Sequence, residues 1–135
     1  MVQVVELEPR QHRILIVEDE PDIRALMTFV LERAGYDVVC VRAVGEARAA
    51  ISLYDFDAAL IDICLPDGNG DEVMGILRAT SPQTRIVAIS ALASTDDVAR
   101  DATTFADTFL PKPFTNAALV AAVAAPPVAL AGPNC

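Results

Sequence analysis

The chain has 135 residues and a mass of 14.3 kDa, a length that predicts a single domain. Hydrophobic residues make up 53% of it and charged residues 21%, so the chain can build a packed core and is not disordered as a whole. Its formal net charge of -9 argues against binding to nucleic acid or to an anionic membrane, since both need a basic face on the protein. The same charge suits a protein that holds a cation.

Membrane segments and disulfide bonds are not expected either. The longest apolar stretch, 117–131, is mostly alanine, contains two adjacent prolines and is shorter than the roughly 20 strongly apolar residues that cross a bilayer. The N-terminal segment 1–12 lacks the layout of a signal peptide. The three cysteines have no C-x-x-C spacing, and their odd number fits a reducing compartment better than a disulfide framework. We therefore expect a cytoplasmic protein.

Short apolar runs predict five β-strands, at 14–17, 38–41, 58–61, 86–89 and 108–110. Most of these runs are continuously apolar, which is typical of strands in a parallel sheet that is covered on both faces. The segments between the strands have helical spacing. In the first of them, apolar residues recur every three or four positions and form one stripe, which consists of Ile23, Leu26, Met27, Val30 and Leu31.

Capping and breaking residues help to bound the predicted helices. Pro21 suits the first turn of the first helix, and Gly35 is placed to close it. Ser81 precedes a proline and so stops the third helix. The five helices are predicted at about 21–35, 44–54, 70–81, 95–104 and 115–124.

Strand and helix therefore alternate five times along the chain. Right-handed crossovers between parallel strands then give an α/β fold, a doubly wound open sheet with helices on both faces. We predict that this domain covers 13–125 and that 1–12 and 126–135 are flexible termini.

Reactive side chains follow four of the five predicted strands. In an open α/β sheet the ligand crevice lies beyond the carboxyl ends of the strands, so these side chains are expected to converge at one edge. Carboxylates that cluster repel one another unless a hard divalent cation lies between them, and Mg2+ takes carboxylate, water and phosphate oxygens. An aspartate in such a set can accept a phosphoryl group. The side chains are Glu18, Asp19 and Glu20 after the first strand, Asp62 after the third, Ser90 after the fourth and Lys112 after the fifth.

Lysine usage supports this interpretation. Lys112 is the only lysine in the chain, which has nine arginines. A compact ammonium suits a single phosphoryl oxygen, whereas the forked guanidinium of arginine suits a planar partner.

Each of these residues taken alone also has a purely structural interpretation. The acidic residues after the first strand can simply cap the next helix, and Asp62 can belong to the dense turn signal at 66–70. Ser90 can end a strand, and Lys112 can be a solvated surface charge. Their convergence on one edge of the sheet favours a functional site.

The motifs resemble the receiver domain of bacterial two-component response regulators over about 13–124. The resemblance lies in the segments VEDEP at 17–21, DICLPDGNG at 62–70, SA at 90–91 and FLPKPF at 109–114. It implies a flavodoxin-like fold with a five-stranded parallel sheet in the order 2-1-3-4-5 and five helices.

The resemblance also implies a phosphoacceptor and a metal site. Asp62 would take a phosphoryl group from the phosphohistidine of a partner kinase. Glu18, Asp19, Asp62 and the backbone carbonyl of Cys64 would bind Mg2+, for which Mn2+ can substitute. Glu18 stands where an aspartate is usual in the family, which would alter how the metal site is built.

The resemblance implies that further residues would contact the phosphoryl group or change conformation when it is present. Ser90, the backbone of Ala91 and Lys112 would contact it, and Lys112 would pair with the phosphoacceptor before the group arrives. Ser90 and Phe109 would act as the switch, and the bond between Lys112 and Pro113 would be cis, as in the family. Phe109 lacks the hydroxyl of the commoner tyrosine.

The implied function is that of a signalling domain in a phosphorelay rather than an enzyme. The domain would assist its own phosphorylation and dephosphorylation and would switch a partner-binding face formed by the fourth helix, the fifth strand and the fifth helix. Its partners would be a histidine kinase or phosphotransfer protein and a downstream target protein, with no nucleic acid and no membrane. Phe105 and Ala106 replace the Gly-Ala pair that often precedes the fifth strand, next to that face.

Three alternatives remain open on the sequence. The chain can be a receiver excised from a hybrid kinase, or a degenerate receiver that binds partners without being phosphorylated. A small phosphatase of the haloacid-dehalogenase kind is the third. That class carries Asp-x-Asp at the end of its first strand, a spacing that 19–22 does not give.

Overall fold

A computed structural model describes residues 12–91 and 105–124 of the protein. The predicted fourth helix, 95–104, lies outside these residues, and so do the predicted tails apart from His12. Within the described residues, every helix falls short of the length and apolar character that a membrane crossing needs. In chain order the elements are β1 (Arg13–Val17), α1 (Pro21–Arg33), β2 (Asp37–Val41), α2 (Val44–Leu53), β3 (Ala58–Asp62), β4 (Cys64–Leu65), β5 (Gly68–Asn69), α3 (Gly70–Thr80), β6 (Arg85–Ser90), β7 (Thr108–Pro111) and α4 (Asn116–Ala124).

The five long strands form one parallel sheet in the order β2-β1-β3-β6-β7. Because β4 and β5 form a separate small hairpin, this order is the expected 2-1-3-4-5, and that prediction is confirmed. The strands are continuously buried where the sheet is covered on both sides, as β3 is along its whole length.

Alternate residues of each strand supply two cores, one on each face of the sheet. On one face Leu15 and Val17 of β1 pack with buried residues of α2 and α3. On the other face Ile14 and Ile16 pack with α1 and α4. The helices therefore cover both faces, as predicted for a doubly wound sheet.

Helix α1 begins at Pro21 and ends beside Gly35, which has a φ of 101°. This backbone conformation favours glycine, so the predicted role of Gly35 as the closing residue is confirmed. The predicted apolar stripe is only partly correct. Met27 and Leu31 are buried, but Leu26 is 46% exposed because it lies at the margin of the stripe, away from the sheet.

The segment between β3 and α3 was predicted as a turn and is a tight hairpin followed directly by a helix. Strands β4 and β5 pair antiparallel, and the side chain of Asn69 caps α3 by accepting a hydrogen bond from the Asp71 N–H at 2.8 Å. The Gly70 N–H donates to the Ile63 carbonyl at 2.7 Å. This bond joins the two residues that flank the hairpin and closes its open end.

Asp67, at the tip of this hairpin, caps a helix to which it does not belong. Its two carboxylate oxygens accept from the Val44 N–H at 2.7 Å and from the Gly45 N–H at 3.1 Å, at the start of α2. Ala43, the N-cap residue of α2, has no side chain that can do so. These two hydrogen bonds lower the pKa of the Asp67 carboxyl and tie the hairpin to α2.

Gly70→Ala is expected to destabilise the protein by about 1–3 kcal/mol, the usual cost of overpacking. A methyl group at this position would overlap the backbone carbonyl oxygen of Asp62, so β3 and α3 would have to move apart. Urea unfolding measures the change. Gly45→Ala is the control, because its added carbon would meet nothing nearer than an Asp67 oxygen at 3.7 Å. Equal stability of the two variants would contradict this role of Gly70.

Asp67→Asn is expected to lower the free energy of unfolding at pH 7. Because folding lowers the pKa of this carboxyl, its contribution is present above the ordinary value of 3.8 and is lost as the pH falls through the folded-state pKa. Variant and wild type should therefore converge in acid, as urea unfolding across the acid range would measure.

Asp55→Asn, at an exposed carboxyl between α2 and β3, controls for the loss of a charge. A stability difference between Asp67→Asn and wild type that stays constant into acid would contradict the proposed cap.

Candidate functional site

Three carboxylates meet at the carboxyl edge of the sheet. Glu18 and Asp19 directly follow β1, and Asp62 is the last residue of β3, the neighbouring strand. One oxygen from each of the three groups lies within 4.8 Å of the other two. Glu18 is completely buried and Asp62 nearly so, while Asp19 is exposed. The structure therefore brings together three of the four carboxylates that the sequence placed at this edge.

Lys112, which directly follows β7, joins this cluster. Its ammonium Nζ donates to Asp62 Oδ2 at 2.9 Å, to Glu20 Oε1 at 3.1 Å and to Glu18 Oε2 at 3.2 Å. An ammonium has three N–H donors, so all of them are engaged. Burial alone would lower the pKa of Lys112, but the hydrogen bonds to Asp62 and Glu20 outweigh it and raise the pKa above its ordinary value.

The backbone around Lys112 holds the side chain at this edge. Its N–H donates to the Ser90 carbonyl at 2.8 Å, and the peptide bond between Lys112 and Pro113 is cis. Only 12% of the lysine side chain is exposed. The interpretation of Lys112 as a solvated surface charge is therefore wrong.

Glu18 is a buried carboxylate that its neighbours satisfy only in part. Oε2 accepts hydrogen bonds from the Glu20 N–H at 3.1 Å and from Lys112, whereas Oε1 is buried and makes no hydrogen bond, although Lys112 Nζ lies 3.1 Å from it as an ion-pair contact. Burial, together with repulsion from Asp62, raises the pKa of Glu18 to about 7. A positive charge placed here would stabilise its ionised form.

This donor set fits a hard divalent cation. All the side-chain donors are oxygens, which Mg2+ and Mn2+ prefer, and one of them, Glu18 Oε1, is buried and makes no hydrogen bond. Lys112 is the one cation that pairs with the clustered carboxylates among the residues that the structure describes, and it leaves most of their charge uncompensated.

The Cys64 main chain lies directly against the phosphoacceptor candidate. The Cys64 N–H donates to Asp62 Oδ1 at 3.1 Å, while Lys112 binds Oδ2. Both oxygens of Asp62 are therefore oriented. The carbonyl of Cys64, named as a metal ligand by the resemblance, belongs to the start of the hairpin that Gly70 and Asp67 hold in place.

Ser90 and Phe109 lie on the next two strands of the sheet, β6 and β7, and Ala91 directly follows β6. Asp62 pairs in register with Ile89, so Ser90, the buried last residue of β6, reaches the same edge of the sheet. Ala91 follows it and is exposed. Phe109, on β7, pairs with Ala88 of β6 and is half-buried against the core beneath α2 and α3.

The contact between Glu20 and Lys112 was not anticipated from the sequence. Glu20 occupies the N-cap position of α1, but its side chain forms no capping hydrogen bond and turns to the lysine instead. The alternative in which this acidic residue serves as a helix cap is wrong for Glu20. The signals available in the sequence were the long side chain, where a short one caps better, and the single lysine.

Residues 14–124 match the sequence model of the response regulator receiver domain. The response regulator PilR of Pseudomonas aeruginosa is 38% identical to this chain over 103 residues, which are 76% of this chain and 23% of PilR. The chain thus spans about a quarter of the length of that relative.

Solved structures of similar sequence share the fold. A CheY-like receiver domain protein from Methanospirillum hungatei has a TM-score of 0.75 at 31% identity, over 82% of this chain and 89% of that one. The response regulator TrrA of Thermotoga maritima, solved in complex with Mg2+ and BeF, has a TM-score of 0.73 at 28% identity, over 82% and 94% of the two chains. With its parallel sheet and acidic edge, this chain belongs to the response regulator receiver domain family, whose members are signalling domains of two-component systems and not enzymes in the ordinary sense.

Proposed function

We propose that residues 13–125 form a phosphoacceptor domain in which Asp62 takes a phosphoryl group from a histidine kinase or a phosphotransfer protein in the presence of Mg2+. The observation that carries this proposal is the 2.9 Å hydrogen bond from Lys112 to Asp62, made by an ammonium that also contacts the buried Glu18. Family membership supports it, and so does the Mg2+ complex of the relative TrrA.

Asp62 is prepared to act as a nucleophile. The hydrogen bonds to Lys112 and to the Cys64 N–H fix the plane of its carboxylate, and only 7% of its side chain is exposed. In the transfer, a bond forms between a carboxylate oxygen and phosphorus while the bond from phosphorus to the kinase histidine breaks. The electron pair of that bond returns to the imidazole nitrogen. Catalysis of this kind consists mostly of positioning and charge stabilisation.

The main obstacle is charge, because an anionic donor approaches several carboxylates. Bound by Glu18, Asp19, Asp62 and the Cys64 carbonyl, Mg2+ would offset this repulsion, and Mn2+ could take its place. The buried Oε1 of Glu18 makes no hydrogen bond and has Lys112 Nζ 3.1 Å away, and its burial beside Asp62 supports a role for this residue in holding the cation. Lys112, which directly follows β7, would contribute a second positive charge.

Once transferred, the phosphoryl group would be held by the chain itself. The Ser90 hydroxyl, at the end of β6, and the Ala91 N–H and Lys112 ammonium, which directly follow β6 and β7, lie at the same edge of the sheet as Asp62. The same groups would hold the phosphoryl during attack by water, so the domain would assist its own dephosphorylation.

The phosphorylated form would differ from the resting form at the surface. Movement of Ser90 towards the phosphoryl group would change the space available to Phe109, which lies on the adjacent strand. The group would thus favour an active form that already exists as a minor population. The face that reports it would comprise the segment 95–104, β7 and α4, and would bind a downstream target protein.

Asp62→Asn is expected to abolish phosphorylation by acetyl phosphate with Mg2+, because an amide cannot act as the nucleophile. Intact-protein mass spectrometry would show one added phosphoryl group on wild type and none on the variant. In wild type alone, amide resonances of Ser90 and Phe109 should shift.

Asp22→Asn removes an exposed carboxylate in the first turn of α1 and should be phosphorylated like wild type. A wild-type chain that takes up no phosphate would favour the degenerate receiver. Phosphatase turnover that survives Asp62→Asn but is lost on changing Asp19 would favour the haloacid-dehalogenase alternative.

A further inference from the structure

In the resting state all three N–H donors of Lys112 are occupied, so none is available to a phosphoryl oxygen. Its three N–H groups point to Asp62, Glu20 and Glu18, at 2.9, 3.1 and 3.2 Å. If Lys112 is to bind a transferring phosphoryl group, as the proposed function requires, one of these hydrogen bonds has to break.

The three carboxylates differ in how readily they can leave. The side chain of Glu18 is 0% exposed and that of Asp62 is 7% exposed, so neither can turn to water without rearranging the core. The side chain of Glu20 is 57% exposed and can be solvated by a simple rotation. An ion pair of this exposed kind contributes little to stability, so its loss is easily reversed.

The main chain of Glu20 is fixed although its side chain is free to move. Its N–H donates to Glu18 Oε2 at 3.1 Å, and its carbonyl accepts the first helical hydrogen bond of α1 from the Arg24 N–H at 2.9 Å. The side chain takes no part in capping the helix. The backbone thus holds the Glu20 carboxylate beside Lys112, although this carboxylate does not cap the helix.

We propose that Glu20 is a positioning residue that occupies one donor of Lys112 at rest and gives it up to the incoming phosphoryl group. This inference rests on the proposed function. Glu20 keeps the ammonium in place before transfer, and its displacement adds to the barrier. The residue therefore sets how fast Asp62 is phosphorylated, without itself touching the phosphoryl group.

The test compares the second-order rate constants for phosphorylation by acetyl phosphate with Mg2+ among single variants. Glu20→Ala should raise the rate roughly two- to fivefold, the factor that corresponds to an exposed ion pair. Glu20→Asp keeps the charge but is one methylene shorter, and aspartate at an N-cap bonds to its own helix. It should show a similar increase.

Two controls distinguish the effect of the Glu20–Lys112 contact on the rate from the effect of removing any negative charge and from a change in stability. Asp22→Ala removes an exposed carboxylate two residues away that is not among the ion-pair partners of Lys112, and its rate should stay close to that of wild type. Thermal unfolding of each variant checks that the rates do not follow stability.

Rates for Glu20→Ala and Glu20→Asp at or below wild type would overturn the proposal while leaving the phosphoacceptor function intact. A fast Glu20→Ala with Glu20→Asp at the wild-type rate would also overturn it, because charge alone would then act. A wild-type chain that acquires no phosphate at Asp62 would overturn both proposals.

Discussion

One ammonium group shared among carboxylates is the interaction on which the candidate site depends. Lys112 is the only lysine in the chain, and it lies against two buried carboxylates and one exposed carboxylate. Removing one partner from a buried ion pair leaves an uncompensated charge, so loss of Lys112 would leave Glu18 and Asp62 as buried carboxylates without this counter-charge. The ammonium also balances only part of their charge. The carboxylates therefore have one buried counter-charge but keep a net negative charge, and a divalent cation can bind to this remaining charge.

The fold contributes by bringing distant segments to one edge. Parallel strands end on the same side of a sheet, and the order β2-β1-β3-β6-β7 places β1 and β6 on either side of β3. The hairpin after β3 adds local control. Gly70 permits close packing against the Asp62 carbonyl, and Asp67 fastens the hairpin tip to the start of α2. The orientation of the Asp62 carboxylate is thus set by contacts on both sides of the strand end.

Much of this architecture follows from local patterns in the sequence. Continuous apolar runs identify buried parallel strands, and the residues after them identify the edge where Glu18, Asp62 and Lys112 meet. Features that depend on tertiary contacts could not be found in that way. Leu26 fits the helical period and is nonetheless exposed, and the capping of α2 by Asp67 joins segments that are far apart in sequence. The contact of Glu20 with Lys112 likewise depends on how β1 and β7 are arranged in the sheet.

The central claim is that this acidic edge of the sheet holds a divalent cation beside Asp62 while Lys112 remains hydrogen-bonded to Asp62. Anomalous diffraction from crystals soaked in Mn2+ tests this most directly, with Asp19→Asn as a matched variant at the exposed ligand. We predict one strong peak bounded by oxygens of Glu18, Asp19 and Asp62, weakened in the variant, with Lys112 Nζ still within hydrogen-bond distance of Asp62. An edge without a peak, or a lysine that points away into solvent, would contradict the account.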